Sequence, residues 1–360
     1  MAAGPGLTTP RGPTAGSRTT RAVVLARRPA GSLVPGDLRV TDLPLPEVGP
    51  GQALVRNELM SLDPATRGRM DATEKVYTAN FDVGGPLDGW AVGQVVSSRS
   101  PALPAGATVR HRLGWREFAV VDGATARVVD VGLAPARSWL SALGQTGFTA
   151  YVGLTRVGRP APGETVLVSA AAGGVGSMAA QFARLLGAGR VVGVASARKR
   201  DWLLRELGLD DVLDRAGDVR SGLAALVPDG VDLYFDNAGG DTLVAALRSM
   251  RTGGRVVLCG MVSTMQGGGD RDGQPGIGHL VEAVLRRLTL QGFIVRDHED
   301  VRPEFESRVA GWLASGRLTD AATEVEGLER APQALVDLLA GGNLGKALVR
   351  LAPDPSTGRP

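Results

Sequence analysis

The stretch TVLVSAAAGGVGSMAAQFARLL, residues 165–186, restricts the possible folds more than any other. A short β-branched run ends at Ser169. From Val175 onward, Val175, Met178, Ala179, Phe182, Leu185 and Leu186 recur at helical spacing. Between the two lie Ala171, Gly173 and Gly176, at the spacing G-x-G-x-x-G with alanine in the first place. Gly173 lets a backbone approach a pyrophosphate, and Gly176 lets the helix lie close to the strand. The helix N-terminus adds free N–H groups and the positive end of its dipole. In a chain with 51 glycines the pattern alone is weak, and a plain tight turn is the alternative. Its place between a strand and a helix is what gives it meaning. The stretch predicts a dinucleotide cradle at the start of a doubly wound parallel sheet.

The pattern downstream agrees. The runs RVVGVA (190–195), VDLYFD (231–236), GRVVLCG (254–260) and LQGFIV (290–295) alternate with helical segments, as in a parallel sheet with helices on both faces. Where an NAD site would carry an acid for the ribose diol, at the end of RVVGVA, the chain reads Ala195, Ser196, Ala197, Arg198, Lys199, Arg200. Three cations at a helix start oppose its dipole, and a nearby anion would relieve them. The 2′-phosphate of NADP suits that place.

Upstream the texture differs. QALVRNEL (52–59), AVGQVVSS (91–98), REFAVVD (116–122) and ARVVDV (126–131) are short alternating stretches punctuated by Gly, Pro and Asp, which predicts a β-rich domain. Two amphipathic helices are expected at 305–318 and 331–342. A final strand, KALVRL (346–351), has the option of returning to the first domain. The expected division is a disordered tail at 1–20, a β-rich domain at 21–142, a nucleotide-binding domain at 143–303, a return to the β-rich domain at 304–353 and a tail at 354–360.

Composition narrows the function classes. No apolar run reaches the roughly 18 residues of a membrane span. Net charge is +3, and the basic residues are scattered, which gives no nucleic-acid footprint. Only three basic residues are lysines: Lys75, Lys199 and Lys346. Cys259 is the single cysteine, and His111, His279 and His298 lack metal-ligand spacing, so no metal is expected. A reducing cytoplasm fits.

Taken together, SLDPATRGRM (61–70), GWREFAVVD (114–122), GQTGFTAYVGL (144–154), the loop at 166–183, YFDNAGG (234–240), GRVVLCGMVS (254–263), LQGFIV and NLGKALV (343–349) resemble the zinc-independent medium-chain dehydrogenase/reductases. The likeness is to the prostaglandin/leukotriene reductase and alkenal double-bond reductase branch, over residues 21 to 351. It implies an α/β chain: a Rossmann-type doubly wound sheet plus a GroES-like substrate domain. It also implies a homodimer and NADPH-dependent hydride transfer to the β-carbon of an α,β-unsaturated ketone or aldehyde.

By the same resemblance, Ala172, Gly173, Val175 and Gly176 hold the pyrophosphate. Ser196, Lys199, Arg200 and Arg215 lie about the 2′-phosphate and adenosine ribose. Asn237, Gly260 and Ser263 line the cofactor at strand ends, Phe293 and Val295 belong to the strand beside the nicotinamide carboxamide, and Asn343 is a further contact. Asn57, Tyr77 and Met265 are the expected lining of the substrate cleft. Two departures stand out: Ala65 and Met265 occupy places where the branch commonly has tyrosine. Tyr77 is then the candidate hydroxyl near the substrate, while Tyr151, Tyr234 and Cys259 are expected in the core. His111 and His298 are expected at the surface or cleft edge, Asp63 is expected to pair with Arg67, and the run 266–278 is either a lid or disordered. A quinone reductase, a tailoring reductase for one complex intermediate, and a non-catalytic NADPH sensor are the alternatives.

Overall fold

The computed structural model describes residues 18–72, 78–260 and 280–351. The β-rich part opens with an antiparallel pair, β1 (Thr19–Leu25) and β2 (Leu38–Pro44). It continues with β3 (Gln52–Ser61), a short helix α1 (Ala65–Gly68), β4 (Ala91–Ser98), β5 (Thr108–His111), β6 (Phe118–Asp122) and β7 (Arg127–Val128). Alternation sets the faces. Ala53 and Val55 of β3, Val95 of β4 and Val121 of β6 are buried together, while Arg56 and Gln94 face outward. ARVVDV supplies only the two-residue β7.

The second body begins with helix α2 (Gln145–Val152) and a π-helical turn, Gly153–Gly158. Strand β8 (Thr165–Ser169) then feeds α3 (Gly174–Leu185). The chain continues through β9 (Arg190–Ala195), α4 (Arg200–Arg205), β10 (Asp211–Asp214), α5 (Val219–Leu226), β11 (Val231–Asp236), α6 (Gly240–Ser249), β12 (Met250–Leu258), α7 (Val281–Leu285) and β13 (Thr289–Gly292). All six strands are parallel, in the order β10-β9-β8-β11-β12-β13. This is the doubly wound order 3-2-1-4-5-6. The middle strands are apolar on both faces because helices cover both: Val166, Leu167, Val168, Leu233 and Phe235 are fully buried.

Helix α8 (Arg302–Ala314) packs onto this body. Its Phe305 and Trp312 join Phe148, Tyr151 and Phe182 in an aromatic cluster with ring centroids 5.1 to 6.5 Å apart. The chain therefore leaves the parallel-sheet body after α8, not at residue 304. It returns through β14 (Ala322–Glu326), α9 (Ala331–Leu339) and β15 (Lys346–Arg350). β15 lies between β14 and β3, parallel to the first and antiparallel to the second, and completes a seven-stranded sheet. KALVRL does close the β-rich body. This return brings residues 341–346 beside the β8–α3 loop, where Gly173 and Gly345 form an isolated bridge.

Candidate functional site: the crevice at the strand ends

The strand order reverses between β8 and β11, and the crevice outside their carboxyl ends is where such folds bind ligands. On one side of it is the β8–α3 loop. Ala170 adopts φ 48°, a left-handed conformation, and its carbonyl accepts the Gly173 N–H at 2.9 Å. This sharp turn aims α3 at the crevice. The N-cap is Gly173, no side chain caps the helix, and its first turn holds no acid. The first-turn amides and the positive helix end are thus left for an external anion. Gly176 is required sterically. A Cβ there would lie 2.2 Å from the Ala170 carbonyl oxygen and 2.9 Å from the Ala171 Cα. Gly173 is different: a Cβ would meet only that same oxygen, at 3.3 Å.

The floor is a buried polar knot. Asp236, at the end of β11, accepts hydrogen bonds from Ser169 Oγ (2.9 Å), the Tyr234 hydroxyl (2.6 Å) and the backbone N–H groups of Ala238 and Gly239 (3.0 Å each). Asn237 donates its side-chain N–H to the Ser169 carbonyl at 2.8 Å and its backbone N–H to Ser169 Oγ. The turn after β11 is therefore locked to the end of β8, and Gly260 lies against the backbone of Asn237. Burial, and then the adjacent Asp236 charge, push the Tyr234 hydroxyl well above its usual pKa, so it stays a donor. The same two causes push the Cys259 thiol up to about 12. Cys259 is half-buried and is not a nucleophile at neutral pH. Tyr151 and Tyr234 are both fully buried.

At the end of β9 stands the basic cluster. Lys199 is buried, and its Nζ donates to the Asn343 carbonyl at 2.6 Å. Arg198 donates to the Gly341 carbonyl at 2.7 Å, and the Arg215 guanidinium packs near Gly341. Burial first, then the Arg198 and Arg215 charges, lower Lys199 to about 8. Ser196 Oγ is buried with no hydrogen-bond partner among the described residues. The cluster therefore presents excess positive charge and an orphaned hydroxyl, a fit to a phosphorylated ribose. Arg200, one of the expected members, is placed elsewhere. It donates to the Val212 carbonyl and pairs with Asp211 at 3.2 Å, because it opens α4 on the side facing β10. Arg198, Lys199 and Arg215 are the three that meet.

The return loop ties the two bodies together here. Asn343 donates its side-chain N–H to the Gly345 carbonyl (2.6 Å), and Gly345 N–H donates to the Ala172 carbonyl (2.9 Å). Lys346, also buried, donates to Asp63 Oδ1 (2.6 Å) and the Leu62 carbonyl (2.7 Å), and its stem lies against Gly174. The expected Asp63–Arg67 pair does not form. Arg67 instead meets Asp71 and the Gly31 carbonyl, since β15 carries Lys346 to Asp63 first. Burial would raise the Asp63 carboxyl, but Lys346, with the Ser61 hydroxyl and Arg112 adding, holds it below the usual value.

Other expected residues fall as follows. Asn57 is buried and donates to the carbonyls of Leu113 (3.0 Å) and Arg116 (2.8 Å). Its Oδ1 has no partner among the described residues. His111 is buried, not at the surface, because β5 carries it beneath the 111–116 turn. Its Nδ1 accepts the Leu113 N–H at 3.0 Å. Burial, and then Arg116, push it down to about 3, so it is neutral. β13 ends at Gly292, so Phe293 and Val295 follow the strand instead of lying in it; Phe293 packs towards Gly153 and sits 6.4 Å from His298 between ring centroids. Tyr77, Ser263, Met265 and the run 266–278 lie outside the described residues. Among those described, no group of three His, Cys, Asp or Glu could hold a metal ion, and no helix is long and apolar enough to cross a membrane.

Two known families match the chain: "N-terminal domain of oxidoreductase" over residues 21–129 and "Zinc-binding dehydrogenase" over residues 174–311. The chain is 38% identical to an NADPH-dependent curcumin reductase of Escherichia coli over 337 residues, covering 92% of this chain and 96% of that one. It is 34% identical to an NADP-dependent 2-alkenal reductase of Nicotiana tabacum, covering 86% and 90%. Among solved structures it is similar to CurA of Vibrio vulnificus in complex with NADPH, with TM-score 0.87, 33% identity and coverage of 93% and 100%. The Rossmann order of the strands, the β-rich partner body and these likenesses lead to one conclusion. The chain belongs to the zinc-independent medium-chain dehydrogenase/reductases, in the branch that holds NADP-dependent curcumin, 2-alkenal and prostaglandin reductases.

Proposed function

We propose that the protein reduces the C=C bond of an α,β-unsaturated ketone or aldehyde with NADPH. The observation that carries this is the pairing of an uncapped α3 N-terminus with a three-cation cluster at the end of β9. One end suits a pyrophosphate and the other a 2′-phosphate. The activities of the relatives supply the reaction class. When bound, NADPH supplies the hydride that reaches the β-carbon of the substrate.

The chain's own residues position and hold. Ala172, Gly173, Val175 and Gly176 receive the pyrophosphate. Ser196, Lys199, Arg198 and Arg215 receive the phosphorylated ribose, and Arg200 acts by fixing α4 to β10. Asn237, Gly260, Ser263, Phe293, Val295 and Asn343 wall the cofactor. Asn57, Tyr77 and Met265 line the substrate cleft. An enolate oxygen needs donors aimed at it, and Tyr77 is our candidate. Water delivers the α-carbon proton. The test is NADPH oxidation at 340 nm with enones, enals and quinones, with NADH as control. Turnover of enones with NADPH preferred is expected. Turnover of quinones alone, or tight NADPH binding with no turnover of any of them, would contradict the proposal.

Lys199 makes the cofactor preference pH-dependent. A bound phosphate favours the charged lysine, so affinity is fully present below pH 8 and falls as the group loses its proton above it. The Kd for NADPH should rise by up to about tenfold per pH unit above 8, while that for NADH stays flat. Fluorescence titration across pH 7–10 checks this. Equal slopes for the two cofactors would remove Lys199 from the phosphate site.

We also propose a homodimer. Among the described residues β13 is one edge of the parallel sheet, and Leu280, Val281, Val284, Leu285 and Ile294 stand exposed beside it. Unpaired edges and exposed apolar patches mark association surfaces. Light scattering should give twice the chain mass, and Val284→Lys should halve it. The single cysteine fits a reducing compartment, and we place the enzyme in the cytoplasm.

A further inference from the structure

A cleft of about 260 Å³ opens between β12, β13 and the π-helical turn, away from the crevice that receives the cofactor. Its walls hold Arg156, Arg159, Arg255, Thr289, Gln291 and Val157. Strand register assembles one side. Arg255 pairs with Thr289 and Val257 with Gln291, so polar side chains alternate with Leu288 and Leu290, which face the core. The π-helical turn supplies the other side. It ends at Arg159, which adopts φ 49°, a left-handed conformation where glycine or asparagine is usual. π-Helical turns and non-glycine residues in this conformation concentrate at binding sites.

The charges do not balance. Arg156 is paired with Asp300 at 3.2 Å, and Arg255 with Glu164. Arg159 has no ion pair or side-chain hydrogen bond among the described residues. Arg255 Nε is buried there without a partner, and the Thr289 and Gln291 side chains make no hydrogen bond among those residues either. Two paired guanidinium groups, one unpaired guanidinium and two unused polar side chains face one small concavity.

We propose that this cleft is a second anion site, distinct from the cofactor crevice, which takes a small multivalent oxyanion: a phosphoryl group or a di- or tricarboxylate. Arg159 is the principal charge, Thr289 and Gln291 hydrogen-bond the oxygens, and Arg255 Nε gains its missing acceptor. Edge pairing through β13 would use backbone groups and leave the face with Thr289 and Gln291 open.

The test is isothermal titration of the protein saturated with NADP+, so that the cofactor's own phosphate sites are filled. Pyrophosphate is the probe in one arm and citrate in the other. One saturable site per chain is expected in at least one arm, and the arm that binds distinguishes phosphoryl from carboxylate ligands. Arg159→Ala, an exposed position, should weaken that binding at least tenfold, and Gln291→Leu several-fold, with NADP+ affinity unchanged in both. Three results would overturn the proposal: no saturable heat from either probe, binding that survives Arg159→Ala, or binding seen only when NADP+ is left out.

Discussion

Gly176→Ala should leave a chain that no longer retains NADPH. The added methyl would stand 2.2 Å from the Ala170 carbonyl oxygen, with two further backbone atoms within 3 Å. None of these is a flexible side-chain tip, so α3 must back away from β8. Overpacking of this kind costs about 1–3 kcal/mol of stability, seen as a lower melting temperature. It also moves the first-turn amides out of reach of the phosphates, so NADPH affinity should fall by two orders of magnitude or more. Gly173→Ala is the informative partner. The protein itself leaves room for that methyl at 3.3 Å. Its melting temperature without cofactor should hardly change, yet NADPH should bind more weakly, because the methyl occupies the space the pyrophosphate approaches. If Gly173→Ala binds NADPH normally, the ligand does not come close to that backbone.

The second large effect is expected at Lys346→Met. The substitution keeps the stem that packs on Gly174 but removes the ammonium from Asp63 and the Leu62 carbonyl. A partly buried carboxylate is then left without its counter-charge. Breaking a buried pair costs about 3–5 kcal/mol, and the low end applies because part of the Asp63 side chain reaches solvent. Adding Asp63→Asn should restore much of the loss. The pH profile checks the cause. In the wild type the Asp63 carboxyl is held below its usual value, so its contribution is present above the unfolded-state value and is lost as pH falls through the folded one. The Lys346→Met protein should lack that acid-side loss. If denaturation shows less than about 1 kcal/mol for Lys346→Met, the contribution expected of a surface pair, the ion pair does not fasten β15 to the segment that follows β3.

Much of this was legible in the chain because local pattern and global fold agree. The β8–loop–α3 unit could be read from periodicity and glycine spacing. KALVRL could be read as a returning strand because its short apolar run suits a strand buried on both faces, which it is between β14 and β3. What escaped were features that depend on residues far apart in sequence. β10 and β14 carry too few apolar residues to stand out, and only their neighbours β9 and β15 order them. Sequence proximity points Asp63 to the local Arg67, four residues away, and not to Lys346, its partner in the fold almost three hundred residues on. Nothing in the local sequence separates Arg200 from Arg198, and only the fold shows that α4 turns Arg200 towards β10. His111 looked like a surface residue until β5 carried it inward. In a chain with 37 arginines and three lysines, a lysine marks a place where a guanidinium does not serve. Both lysines in the described residues are buried beside the cofactor crevice, where a compact ammonium fits and a planar fork would not.

If the proposed function holds, hydride from NADPH reaches the β-carbon of a conjugated carbonyl compound. The most direct measurement uses NADPH deuterated at the nicotinamide C4 with a simple enone, and locates the label by NMR. Deuterium at the β-carbon of a saturated ketone, with hydrogen from water at the α-carbon, is the predicted result. Deuterium at the carbonyl carbon, giving an allylic alcohol, would contradict it and make the protein a carbonyl reductase.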